Sequence, residues 1–259
     1  MAFKLWQIGL HIQPHEALAV AVIRGASGWY LQRWWRLPLA EQTLKDGHLH
    51  DPEQLAQVLQ LWSRELPQRH HIRLSFPASR TRQKAYPRPS MSLREREQTA
   101  WLTGTMAREL DMDPDALRFD YREDEITSAF TVTAAQDKEV SALLTLARTL
   151  GVQVTAITPD ACALQRLLPF LSAAHSCLAW RDDVQWLWAT QYAWGRKTTA
   201  EIANVQELAA SLGLAPDAVA LCAKEGFDPW QAVLIRQPPV PPEGHAFAVA
   251  LGLALGEMC

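Results

Sequence analysis

Cysteine is sparse and unpaired in this chain. Its four residues, Cys162, Cys177, Cys222 and Cys259, show no CxxC spacing. That pattern argues against a disulfide framework or a thiolate metal site and for reduced thiols in a cytosol. Long apolar runs are also missing, and no stretch reaches the ~18 uninterrupted apolar residues of a spanning helix. At the N-terminus, Lys4 precedes a run broken by Gln7, His11 and Gln13, so no secretory leader is expected. Any membrane role would come through a partner. Nucleophile motifs are absent too: Ser75, Ser79 and Ser90 have no Gly-x-Ser-x-Gly context, and the histidines do not pair with cysteines in a recognisable pattern. The paired carboxylates Asp111/Asp113 and Asp120/Asp124 lie in polar, surface-like sequence and are expected to be solvated.

Net charge is small, −3, with 48% apolar and 20% charged residues, as in an ordinary globular protein of 259 residues. The average conceals one asymmetry. Arg64–Arg96 holds nine Lys/Arg (64, 69, 73, 80, 82, 84, 88, 94 and 96) against Glu65 and Glu95. Nucleic acid or an anionic membrane surface could meet such a stretch. The bland alternative is a solvated face, with Arg64 and Arg69 at a helix end and Arg94 and Arg96 beside Glu95 and Glu97.

The pattern begins with strands. Trp6–Ile12 and Ala17–Ile23 flank the polar turn Gln13–Glu16, and Trp29–Leu39 follows, giving a β-meander. Asp51-Pro52 opens a helix whose apolar residues Leu55, Val58, Leu59 and Trp62 fall at helical spacing; Pro67 ends it. His71–Phe76 is a strand. This βββαβ order is the start of a ribonuclease-H-like half. Thr81–Arg88 is read as a strand, and Ser92 with Glu95 as the capping box of a helix to about Leu110. Strands at Leu117–Tyr121 and Ala129–Ala135 precede a helix at Lys138–Leu150, stopped by Gly151. Val152–Ile157 returns as a strand, and Pro159–Leu168 is a connecting helix in which Asp160 would cap at Ala161. A second hairpin, Cys177–Trp180 with Gln185–Tyr192, turns at Arg181–Asp183. A helix at Val205–Ser211, a loop at Pro238–Pro242 and an apolar helix at Phe247–Leu255 complete the chain.

Eleven tryptophans invite a base-stacking platform. Core packing is the competing reading and the favoured one, with one of Trp34 and Trp35 entering the core; the alternative leaves the other, like one face of the hairpin carrying Trp186 and Trp188, exposed as a protein interface.

In order along the chain, the segments IGLHI (8–12), LSFPASR (74–80), FDYRED (119–124), TAAQDKEV (133–140), ITPDACALQRLL (157–168) and ALGLAL (250–255) resemble the actin-like pilus assembly proteins of the PilM type. The resemblance implies an α/β, actin-like fold of duplicated ribonuclease-H-like domains, similar to FtsA, with an inserted subdomain 1C in place of actin's 1B. It divides the chain into subdomain 1A (1–80 and 151–172), subdomain 1C (81–150), and subdomain 2A with a truncated 2B (173–259). It implies a cytosolic scaffold, peripheral at the inner membrane, in a type IV pilus-like DNA-uptake or DNA-utilization machine. Its partner would be the N-terminal cytosolic tail of a PilN- or HofN-like single-span inner-membrane protein, lying in a groove between the first and the inserted subdomain. Phe76, Pro77, Arg80, Phe119, Asp120, Tyr121 and Asp160 are the groove candidates. The family's self-association carries over as an expectation.

Against the family's nucleotide loops the sequence departs. The first loop resembles GLDIGSSxxK, but after Gly9 the chain places His11 where Asp belongs, Gln13 where Gly does and Pro14 where Ser does. Histidine is a poor Mg²⁺ ligand beside a carboxylate, and proline has no N–H for phosphate. The second loop resembles VDIGAxxT; here Cys177–Asp182 lacks both Gly and hydroxyl, and Trp180 would fill the space of a phosphate. Only the adenosine-side helix, with Gly252, remains. The expectation is a pseudo-ATPase with no catalytic residue and no bound ATP, Mg²⁺ or other metal. A residual ATP-binding protein is the alternative, and a nucleic-acid or anionic-surface binder using residues 64–96 is a second.

Overall fold

A computed structural model describes residues 5–41, 43–124, 129–234, 240–241 and 243–256. The chain forms two compact units, one of Met1–Ser79 with Ala147–Cys259, the other of Arg80–Leu146.

The first unit begins with the meander β1 (Trp6–Ile12), β2 (Glu16–Gly25) and β3 (Gly28–Pro38), all antiparallel. A two-residue pair follows, β4 (Leu44–Lys45) and β5 (His48–Leu49). Helix α1 (Pro52–Arg64) starts as its sequence predicts, with Pro52 in the first turn and Asp51 Oδ1 accepting the Gln54 N–H at 2.9 Å. Its buried residues Leu55, Leu59 and Trp62 form one stripe, and the Trp62 ring meets Trp35 edge-on at 6.1 Å. Strand β6 (His70–Phe76) lies parallel to β1.

The second unit carries β7 (Arg82–Pro87), α2 (Glu95–Glu109), β8 (Leu117–Asp124), β9 (Ala129–Gln136) and most of α3 (Asp137–Thr149). Its sheet runs β7-β9-β8, leaving β7 and β8 as edges. Tyr86, Leu102, Met106, Phe130 and Val132 form its core. Helix α2 does not start where its hydroxyl suggests. The N-cap is Arg94, whose backbone N–H donates to Glu97 Oε2 at 2.9 Å, and Ser92 stays outside. A carboxylate three residues into the helix fixes the start more strongly than a serine upstream of it.

Back in the first unit, Gly151 takes φ +65° and stops α3, and β10 (Val154–Pro159) pairs parallel with β6, completing the sheet β10-β6-β1-β2-β3. The connecting helix is only one α-turn, α4 (Asp160–Ala163). It tightens into a 3₁₀ stretch, Leu164–Phe170, that contains Pro169. Then come β11 (Cys177–Arg181), β12 (Gln185–Thr190), β13 (Trp194–Thr198), α5 (Val205–Ser211) and β14 (Val219–Cys222), in sheet order β13-β12-β11-β14. Between β14 and the last helix, α6 (Ala248–Ala254), the described residues hold only the 3₁₀ turns Pro229–Ala232 and Gly244–Phe247. The proline loop expected at Pro238–Pro242 lies largely outside the described residues.

All seven residues of α6 are buried. Leu18, Val20 and Val22 of β2 and Leu178, Trp180 and Leu187 of β11 and β12 belong to one apolar cluster with it. The other side of the second sheet is closed by α5: Cys177, Ala179 and Trp186 pack with Leu208 and Ala209. Trp186 is therefore core, not surface, and Trp188 is half-buried against the same cluster. Trp35 is buried, while Trp34 packs on Phe247 at 5.6 Å. Arginines cover the aromatic flanks, Arg24 over Trp29 and Arg33 over Trp35. No tryptophan is exposed as a stacking platform would require. No helix among the described residues is long and apolar enough to cross a membrane.

Candidate functional site

Alternation along β1 puts Gly9 and His11 on one face, and α6 lies against that face. A Cβ on Gly9 would overlap the Ala250 carbonyl oxygen and stand 2.7 Å from Ala254 N and from Leu253 Cβ. Glycine is needed here so that a helix can approach the strand. Gly252 has the same task on the far side of α6, where a Cβ would overlap the Ala163 carbonyl of α4.

His11 is 3% exposed. Burial without a counter-charge drives its pKa down to about 3, so the folded protein holds it neutral. Gln13 donates its Nε2–H to His11 Nδ1 at 3.1 Å, leaving the imidazole proton on Nε2. The Trp180 ring meets His11 at 5.7 Å, tilted 70°. Trp180 itself donates its indole N–H to the His245 carbonyl at 3.0 Å. Gly9 and Gly252 thus seat α6 on two different sides, while His11 joins Gln13 and Trp180. The residues do not fit a Mg²⁺-triphosphate: the position of the metal-side acid holds a neutral imidazole, and Pro14 offers no N–H.

Asp160 opens α4 and is 4% exposed. One carboxylate oxygen accepts the Ala161 N–H at 2.7 Å and the Ala78 N–H at 2.9 Å. Burial lifts its pKa to about 7 against the downward pull of those two N–H groups; the Asp182 carboxylate adds to the rise and Arg196 offsets it. Asp182 is itself raised, mainly by burial. Phe76, opposite Pro159 in the β6/β10 register, is also buried, and Pro77 after it is half-buried. Phe76 and Asp160 are thus packed at the adjoining ends of two parallel strands.

The other groove candidates belong to the second unit. Arg80 donates from Nε and Nη2 to Glu139 Oε1, at 3.2 and 2.8 Å. Phe119 and Tyr121 stack at 6.4 Å on edge strand β8, and Tyr121 meets Phe130 edge-on at 5.8 Å. Asp120 points to the other face, is exposed, and accepts the Tyr121 N–H at 2.8 Å.

The basic stretch is not a free cationic stripe. Arg73 is buried and donates to Gln7 Oε1 at 2.8 Å, Arg80 is held by Glu139, Lys84 pairs with Glu109 at 3.1 Å, and Arg88 pairs with Glu123. Sequence reasoning missed His245 altogether. It contributes through its carbonyl, which also accepts from Cys222 Sγ at 3.7 Å, and a main-chain acceptor leaves no mark in a sequence.

No protein-family model matches the chain. It is 65% identical over 257 residues to the DNA utilization protein HofM of Escherichia coli (strain K12), covering 99% of each chain. Its fold is that of the PilM–PilN type IV pilus biogenesis complex (TM-score 0.71, 15% identity, 97% of this chain and 98% of that one). The cytoplasmic domain of EpsL, an inner-membrane component of the Vibrio cholerae type II secretion system, shares it too (TM-score 0.60, 12% identity, 97% and 95%). The architecture is therefore actin-like, of the PilM type.

Proposed function

The chain belongs to the family of the DNA utilization protein HofM, and we propose that within a type IV pilus-like DNA-uptake assembly it is a non-enzymatic scaffold that captures the cytosolic tail of a PilN- or HofN-like single-span inner-membrane protein. The scaffold half of this reading is carried by one observation. Where the resemblance places the carboxylate of the first phosphate loop, the chain holds the buried, neutral His11, packed on Trp180 at 5.7 Å. A fold of this kind without its nucleotide retains surfaces rather than a reaction. The tail half is supported by the shared fold with PilM, whose complex with PilN is a type IV pilus biogenesis complex.

Strand β8 is the element we assign to the tail. Among the described residues it is an edge of its sheet, the position at which an extended peptide adds a strand, and the half-buried, stacked Phe119–Tyr121 pair, seated on the unit's own core, flanks the exposed Asp120. The protein works in the cytoplasm, held at the inner membrane by that partner.

Titration calorimetry tests both halves. A peptide of the first ~15 residues of a single-span partner encoded beside this gene should bind saturably, and Tyr121→Ala should weaken it about tenfold, or ~1.4 kcal/mol. Tail peptides that all fail to bind would remove the adaptor role. Saturable ATP·Mg binding tighter than ~100 μM, more than about 5.5 kcal/mol, would establish the residual nucleotide binder instead. Salt-dependent DNA binding lost in Arg80→Ala/Arg82→Ala/Lys84→Ala would favour the nucleic-acid alternative.

A further inference from the structure

The turn Gly244–Phe247 touches both sheets of the first unit, through different atoms. Towards the first sheet, the Phe247 ring packs edge-on against Trp34 of β3 at 5.6 Å. Arg36 of the same strand lies over the Phe247 ring at 5.7 Å, and its Nη1 reaches Glu243 Oε2, one residue before the turn, at 3.1 Å. Towards the second sheet, the His245 carbonyl accepts from Trp180 Nε1 of β11 at 3.0 Å and from Cys222 Sγ of β14 at 3.7 Å. Trp180 then reaches back to His11 of β1, closing a loop of contacts across the two sheets. The turn is also seated from below: a Cβ on Gly244 would stand 2.6 Å from the Trp230 indole. Phe247 and Trp180 are both buried in the cluster that unites the sheets around α6.

A two-lobed clamp holds its lobes in register by closing on a ligand, and without one it opens at the hinge. Here polypeptide makes the cross-lobe contacts. We propose that the turn Gly244–Phe247, seated between Trp34/Arg36 and Trp180/Cys222, is a built-in bolt that locks the two sheets of the first unit in one closed arrangement with no ligand bound. The adaptor would then present a constant surface rather than one gated by nucleotide. This inference rests on the reading of a clamp that works without nucleotide, and its test is separate. ATP titration addresses that reading; hydrogen exchange addresses the bolt.

The experiment compares amide exchange in the full chain for the parent and for Phe247→Ala, Trp180→Phe and the double variant. Trp180→Phe keeps a ring but removes the N–H donor. Each single change should speed exchange of β11–β12 amides tenfold or more while β1–β2 amides keep their protection, and calorimetry should resolve two transitions in place of one. Because both changes cut the same link, the double variant should uncouple the sheets no further than the worse single variant. Trp186→Phe is the control: its Nε1 donates to Ile202 within the second-sheet half, at 2.9 Å, so it should destabilise without uncoupling. Equal acceleration in both sheets, or a pattern matching Trp186→Phe, would overturn the bolt. If Phe247→Ala does not fold, Gly244→Ala, which displaces the turn from Trp230, carries the same comparison with Trp180→Phe.

Discussion

Asp160 accepts the backbone N–H of Ala78 at 2.9 Å, across 82 residues of chain. The contact ties the exit of β6 to the start of α4, and burial sets its pH dependence. The folded pKa, about 7, lies above the ordinary carboxylate value of 3.8. Its contribution to stability is therefore full below pH 3.8 and is lost as pH rises to 7. Asp160→Asn keeps the oxygen acceptor and removes the charge. Urea melts should find the variant more stable than the parent by about 1–3 kcal/mol at pH 8, and level with it at pH 4. A variant that is weaker at pH 8 would show that the carboxylate ionises without penalty.

His11 slopes the other way. Its folded pKa, about 3, lies below the ordinary 6.5, so its contribution is present above pH 6.5 and is lost as pH falls towards 3. The two windows overlap, and the slopes offset each other through mildly acid pH. Removing one should expose the other: Asp160→Asn should lose stability steeply on acidification, and His11→Asn on alkalinisation from pH 4 to 7. Stability curves of the two variants that run parallel to the parent's would rule the pair out as the source.

Gly9→Ala and Gly104→Ala should behave as opposites. The first drives a methyl into the backbone of α6 and is expected to cost at least ~3 kcal/mol or to abolish soluble expression. The second, in α2 with no atom within 4 Å of the new methyl, should add about 0.5–1 kcal/mol. Thermal melts of both decide it, and a tolerated Gly9→Ala would mean that α6 can withdraw from β1.

Arg80 and Glu139 form a two-point ion pair whose side chains are 25% and 14% exposed. Arg80→Ala leaves a largely enclosed carboxylate, and after allowance for solvent it should cost about 1–2 kcal/mol. Arg80→Met/Glu139→Leu should recover most of that loss by replacing the pair with apolar packing. A double variant as weak as Arg80→Ala would mean that the arginine's stem, not its charge, is what matters.

What the sequence disclosed depended on how locally each feature is encoded. Asp51-Pro52, Gly151 and the alternation of residues 6–12 state their own structure, and all three stand as read. Strands β13 and β14 escaped notice because Trp194–Thr198 is glycine- and charge-bearing and Val219–Cys222 is too short for a period. The sheet, not the segment, makes them strands. At the site, His11, Gln13 and Trp180 were legible as replacements within a known loop pattern. The work of Gly9 was not, because it is defined by a helix more than two hundred residues away. The burial of Phe76 and Asp160 was illegible for a related reason, since the elements that cover them lie far along the chain.

That distance has a consequence during synthesis. A ribosome delivers β1 and β2 long before residues 248–254, the helix that covers them. The second unit can close from near neighbours, while Leu18, Val20 and Val22 stay without the helix that buries them until residues 248–254 are made.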